Sequence, residues 1–162
     1  LRTFPDEPSA VPWDVRRYVP DLVVINLGSN DFSPPHGPER DLFRRQYLAF
    51  VARLRSYYPR AALWIALGPV LRDPSPWGTP VLGEARDDLR WVVEAQRSLG
   101  DRQIRMVEFP TQRPPYGEDW HPTIATHQEM AEQLEPWVRA LFGLPGVQGQ
   151  AQPAKPTLSP GL

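Results

Sequence analysis

The chain has 162 residues, 41% of them hydrophobic and 23% charged, which suits one ordinary globular core and is too short for two well-filled ones. A net charge of −1 and a pI near 6.3 supply no basic footprint for nucleic acid or anionic lipid. The longest apolar stretch, residues 22–27 with Asn26 inside it, falls far short of the roughly 20 residues of a membrane helix, so no membrane insertion is expected.

The absence of cysteine excludes disulfides, thiolate nucleophiles and sulfur-ligated metals, and leaves the redox compartment open. The chain opens Leu1-Arg2-Thr3-Phe4-Pro5, with neither an initiator Met nor a basic-then-apolar targeting segment, and reads as a piece of a longer protein. Its 21 prolines predict extended connections with fixed turns.

After a Pro-rich lead-in, Leu22-Val23-Val24-Ile25-Asn26-Leu27 is a β-branched run ending at Gly28, as expected of a strand buried on both faces. Over residues 39–58, Phe43, Tyr47, Phe50, Leu54 and Tyr57 recur at steps of four and three, which predicts an amphipathic helix stopped by Pro59. Residues 62–67, followed by Gly68-Pro69, repeat the strand-then-turn pattern. A loop through Pro74, Pro76, Trp77 and Pro80 leads to a second helical stripe, Ala85, Leu89, Val92, Gln96 and Leu99, ended by Gly100. Residues 104–109 form a third strand. A last helix begins after Pro122 with Thr123 as N-cap and runs to Phe142 and Gly143, and Pro136 should kink or break it. Its predicted core face is Ile124, His127, Ala131, Leu134, Val138 and Leu141. Strands alternating with helices of this length imply right-handed crossovers and a parallel sheet, hence an α/β fold class. From Leu144 onward the chain is mostly Pro, Gly, Gln and Ala, with little to bury, so residues 1–143 are expected as the folded part and 144–162 as a disordered tail.

Open parallel sheets bind ligands beyond the carboxyl ends of their strands. After the first strand comes Gly28-Ser29-Asn30-Asp31-Phe32, where the Asn30 amide could meet an oxyanion, although Asn and Asp are also ordinary turn and cap residues at any strand end. After the third strand comes Tyr116-Gly117-Glu118-Asp119-Trp120-His121-Pro122. An acid two residues before a histidine suits an orienter and a general base, and equally a charged loop leading into a helix. Glu118, three before His121, competes as orienter.

Gly28-Ser29-Asn30-Asp31 resembles the third signature block of the SGNH hydrolases, also called the GDSL family, and Asp119-Trp120-His121-Pro122 resembles the fifth. Residues 19–33 and 119–130 together are similar to carbohydrate esterase family 2, whose members remove acetyl groups from xylan and related sugars, and the likeness runs from about Trp13 to Phe142. The resemblance implies a three-layer α/β/α, flavodoxin-like sheet whose first two strands are missing. It also implies a serine esterase without metal or cofactor, in which His121 is the base, Asp119 orients it and Asn30 is a side-chain oxyanion donor. The partner it implies is an acetylated carbohydrate or another small ester. Many SGNH hydrolases place the acid three residues before the histidine; the family 2 esterases show the spacing found here. The Gly-Asp-Ser block that carries the nucleophile and the glycine oxyanion block are both absent, and Ser29 matches a variable, non-catalytic position. The chain alone should therefore be inert. An SGNH lipase or thioesterase, and a truncated non-catalytic remnant, are the other readings. The resemblance also implies a secreted or periplasmic setting, which no signal peptide here supports.

His127 lies on the apolar stripe of the last helix without a partner at metal-ligand spacing, and is expected as a hydrogen-bonded core histidine. His36, in the Pro34-Pro35-His36-Gly37-Pro38 loop, belongs to no constellation. Trp77, Trp120 and Tyr116 could each stack on a sugar ring or anchor a Pro-rich loop, and Trp120, between the acid and the base, is the one expected to contact substrate.

Overall fold

The computed structural model describes residues 13–33 and 37–146; His36 and residues 147–162 of the expected tail lie outside the described residues. The chain divides into two compact units, Leu1–Glu108 and Phe109–Leu162. Among the described residues no helix is long and apolar enough to cross a membrane.

The first unit holds β1 (Leu22–Ile25), α1 (Arg40–Tyr57), β2 (Ala62–Leu67), α2 (Val81–Ser98) and β3 (Ile104–Glu108). The strands form one parallel sheet in the order β1-β2-β3, with Ile25 opposite Ile65 and Ile65 opposite Met106. Parallel pairing follows because each crossover is an 18-residue helix. Alternate residues Leu63, Ile65 and Leu67 of β2, with Ile25 and Ile104, join Phe43, Val51 and Leu54 of α1 and Ala85, Leu89 and Val92 of α2 in a single core.

β2 is buried along its whole length, as a central strand should be. In β1, by contrast, only Ile25 is buried and Val24 is 42% exposed, which corrects the expectation of a strand covered on both faces. The reason is position: among the described residues β1 pairs with β2 alone and leaves its other edge open. The predicted α2 stripe also overshoots, since Leu99 is exposed beyond the helix, while Asp88, which periodicity did not assign to the core, is buried.

Side-chain caps stop frayed ends. The Glu39 carboxylate accepts from the Asp41 and Leu42 amides at the start of α1, and Asp73 reaches forward to accept from Leu82 and Gly83 at 2.9 and 2.8 Å, in place of the cap that Pro80 cannot provide. Between them the loop closes on itself: Ser75 Oγ lies 2.7 Å from Thr79 Oγ1 and accepts from the Trp77 and Thr79 amides, while Trp77 stays exposed at the tip. Arg55 ties the end of α1 to the α2–β3 connection, donating to both Asp101 oxygens and to the Tyr58, Pro59 and Ala61 carbonyls.

In the second unit, α3 (Ile124–Leu141) starts where predicted, with Thr123 Oγ1 accepting from the Thr126 amide at 3.2 Å. Pro136 neither breaks nor ends it, because a proline removes one backbone donor and the helix continues on both sides, where Arg139 pairs with Glu135 at 2.8 Å. The predicted core face is corrected: Ile124 is 88% exposed, His127, Ala131 and Leu141 are exposed, Leu134 and Val138 are half-buried, and Thr126 is the helix's one buried residue. Helical periodicity marks a face fit for burial without supplying the surface to bury it. Leu144 still belongs to the helix end, its amide donating to the Arg139 carbonyl at 2.8 Å.

Candidate active site

Asn30 sits on the connection that leaves the carboxyl end of β1. Gly28 turns the chain at φ +112°, a torsion that favours glycine, and a side chain there would also crowd the Phe43 ring at 3.3 Å. The Phe32 amide donates to the Gly28 carbonyl, the Ser33 amide to the Asn30 carbonyl, and Ser33 Oγ donates to the Ser29 carbonyl at 2.7 Å. Phe32 then plugs the core, meeting Phe43 edge-on at 5.0 Å. The result is a short loop with a fixed backbone, from which the Asn30 and Asp31 side chains project to solvent. Among the described residues no hydrogen bond holds the Asn30 amide, which leaves both its donors available. Beneath the loop, burial, with some help from the negative charge of Asp31, pushes the Tyr47 phenol well above its ordinary pKa.

Glu118, Asp119, Trp120 and His121 lie in the second unit, on a 3-10 turn (Glu118–Trp120) just before α3. The turn is tightly wound: Asp119 and Trp120 both have positive φ, 49° and 64°, a conformation that side chains other than Asn and Asp seldom tolerate. Three contacts hold it. The Gly117 amide donates to the His121 carbonyl at 2.8 Å, the His121 amide donates to the Glu118 carbonyl at 2.9 Å, and Gln112 Nε2 donates to the Trp120 carbonyl at 2.6 Å. Gly117 suits this close approach, since a Cβ would stand 3.0 Å from the His121 carbonyl oxygen and 3.2 Å from that of Pro122.

The His121 Nδ1 lies 2.9 Å from the Glu118 backbone carbonyl. A carbonyl only accepts, so Nδ1 carries the proton and the lone pair of the neutral ring is on Nε2, the tautomer a general base needs. The ring's hydrogen bond is thus to the main chain of Glu118; the sequence reading named the side chains of Asp119 and Glu118 as candidate orienters. Both carboxylates are exposed, and among the described residues neither makes a hydrogen bond to the imidazole. Backbone acceptors leave no mark in residue type, and the only signal was Gly117 ahead of the acid pair. Trp120 is 70% exposed and its ring lies 5.4 Å from that of Tyr116, so the pair presents an aromatic surface next to His121 in the chain. The structure therefore gathers Asp119, Trp120 and His121 on one turn and sets Asn30 on a loop of the other unit. His127, expected in the core, is exposed.

Residues 2–129 match the GDSL-like lipase/acylhydrolase family. The chain is 42% identical over 137 residues to the cellulase/esterase CelE of Acetivibrio thermocellus and 29% identical over 141 residues to an acetylxylan esterase/glucomannan deacetylase of Cellvibrio japonicus. These alignments take in 83% and 86% of this chain but only 16% and 36% of the two relatives. Among solved structures, it is similar to a family two carbohydrate esterase from Clostridium thermocellum in complex with cellohexaose, with a TM-score of 0.76 at 39% identity over 83% of this chain and 40% of that one. It is also similar to the family two carbohydrate esterase of Cellvibrio japonicus, with a TM-score of 0.73 at 27% identity over 88% of this chain and 39% of that one. The chain thus spans well under half the length of these proteins, and its three parallel strands with their helices are part of the fold they share. The chain belongs to the GDSL-like lipase/acylhydrolase family.

Proposed function

We propose that this chain is the C-terminal part of an esterase domain that removes O-acetyl groups from xylan-type carbohydrate, with the nucleophilic serine on a segment upstream of it. The observation that carries the reading is the His121 ring, fixed by the Glu118 carbonyl as the tautomer with its lone pair on Nε2. The sequence likeness to proteins named as acetylxylan esterase and cellulase/esterase supplies the substrate class.

In this mechanism Nε2 of His121 takes the serine proton as the serine oxygen bonds to the acetyl carbonyl carbon. The Asn30 amide donates to the oxyanion that forms, a charge absent in the ground state, and removing such a donor typically costs about 2.7–4 kcal/mol of barrier. The intermediate collapses, the sugar oxygen leaves with the proton held by His121, and the same ring then activates water to release acetate. The Glu118 carbonyl holds the ring's orientation; Asp119 adds negative charge that favours the imidazolium. Trp120 is the aromatic contact for the sugar face. No metal or cofactor enters these steps.

The test is acetate release from acetylated xylan and 4-nitrophenyl acetate by the 162-residue chain and by a form extended upstream. Activity confined to the extended form and lost in His121→Ala is the expected result; activity in the short form would overturn the assignment of the nucleophile.

A further inference from the structure

A recess of about 330 Å³ opens in the first unit between the β1–α1 connection and the start of α2. Phe32, Gly37, Thr79 and Glu84 line it, with Arg40 and Asp88 among its polar groups. Asp88 is only 2% exposed, yet the two bonds it accepts, from Arg40 Nε at 2.6 Å and Arg44 Nε at 2.8 Å, both end on Oδ1. Its second oxygen has no hydrogen bond among the described residues, an unspent acceptor on a buried carboxylate. Gly37 keeps the recess open: a Cβ there would come within 3.3 Å of both Glu84 Oε2 and the Phe32 ring.

The charges select the ligand. A free anion would meet the Glu84 and Asp88 carboxylates, while the charge of Arg40 is already offset by Asp88, bonded through Nε alone, and by Asp87 at 3.8 Å, which leaves its other N–H groups to donate to a neutral hydroxyl. A cation would meet Arg40, with Arg44 behind Asp88. A purely apolar group would leave these polar atoms unsatisfied. What fits is a neutral ligand rich in hydroxyls, each able both to donate to a carboxylate and to accept from a guanidinium, and the volume lies at the small end of ligand pockets. Phe32 belongs to the same short loop as Asn30, two residues away.

We propose that this recess is a binding subsite for one sugar ring, an inference that rests on the carbohydrate esterase reading for its substrate class. Glu84 and Asp88 accept from the ring hydroxyls, Arg40 donates to them, and Gly37 makes the room.

The experiment is a titration of the form extended upstream with methyl xyloside and methyl glucoside, followed by the backbone amide resonances of Gly37, Thr79 and Glu84, with inorganic phosphate as the competing probe. Saturable shifts with the glycosides, weakened about tenfold or more in Gly37→Ala and Glu84→Gln while the unfolding transition is kept, are expected. The idea is overturned by glycoside shifts equal in the variants, by none at all, or by phosphate alone producing them. In the extended form, the same two variants should raise the ratio of KM for acetylated xylan to KM for 4-nitrophenyl acetate about tenfold; an unchanged ratio sinks the subsite and leaves the esterase reading standing. An extended form that releases no acetate sinks the esterase reading, and the glycoside titration still decides the recess.

Discussion

The imidazole of His121 is held by the backbone carbonyl of Glu118, three residues before it, at 2.9 Å. Where a buried carboxylate is the orienter, its amide replacement costs about 10⁴-fold in kcat. With a carbonyl in that place, Asp119→Asn in the extended enzyme should lose less than about 100-fold in kcat/KM, whereas His121→Ala should abolish turnover. Asn also accepts the positive φ of residue 119, so the turn should survive. A loss near 10⁴ for Asp119→Asn would return the orienting role to the carboxylate.

Among the described residues β1 leaves one edge open, and its strand donors and acceptors, next to the exposed Val24 and Leu27, should make the isolated chain self-associate by templating another strand. Light scattering should show concentration-dependent growth, reduced in Val24→Lys. A monodisperse monomer with a sharp unfolding transition would contradict this.

Tyr47 carries a buried hydroxyl without a hydrogen-bond partner among the described residues. Tyr47→Phe should therefore stabilise the fold by about 1 kcal/mol in urea titrations. Burial raises the phenol pKa in the folded state, so its contribution to stability is complete below the ordinary tyrosine value and is lost as the pH climbs above it. The alkaline loss should shrink in Tyr47→Phe; an unchanged alkaline profile would show that other groups cause it.

Asp73 accepts from two amides in the first turn of α2 from a position nine residues upstream of Leu82. Asp73→Ala should cost about 1 kcal/mol, with Asp73→Asn recovering part of it. Equal stability of all three would mean the turn is satisfied without the side chain.

The three strands, their parallel order and the three helices were legible because each rests on periodicity and on Gly or Pro punctuation, as at Gly28, Pro59 and Gly68. Thr123 as N-cap was legible for the same local reason. What periodicity could not show was burial that depends on a partner. Val24 and Ile124 carry the right pattern and stay exposed, while Asp88 is charged and buried because two arginines from α1, 44 and 48 residues away, enclose it. Within the candidate site the residue types Asn30, Asp119, Trp120 and His121 could be named from their motifs. The Glu118 carbonyl could not, since every residue has one, and the recess at Gly37 joins segments too distant in sequence to be read together.

Ser75 and Thr79 clamp the base of the loop ahead of α2 through both main chain and side chain, so the residues between them are mechanically decoupled from the sheet below. Whatever stands at the tip, now Trp77 beside Gly78, can be exchanged, lengthened or shortened without the strain reaching β2 or the helix that follows. The fold thus carries a replaceable fingertip on a rigid knuckle, a place where a change at Trp77 should leave the framework beneath as it is.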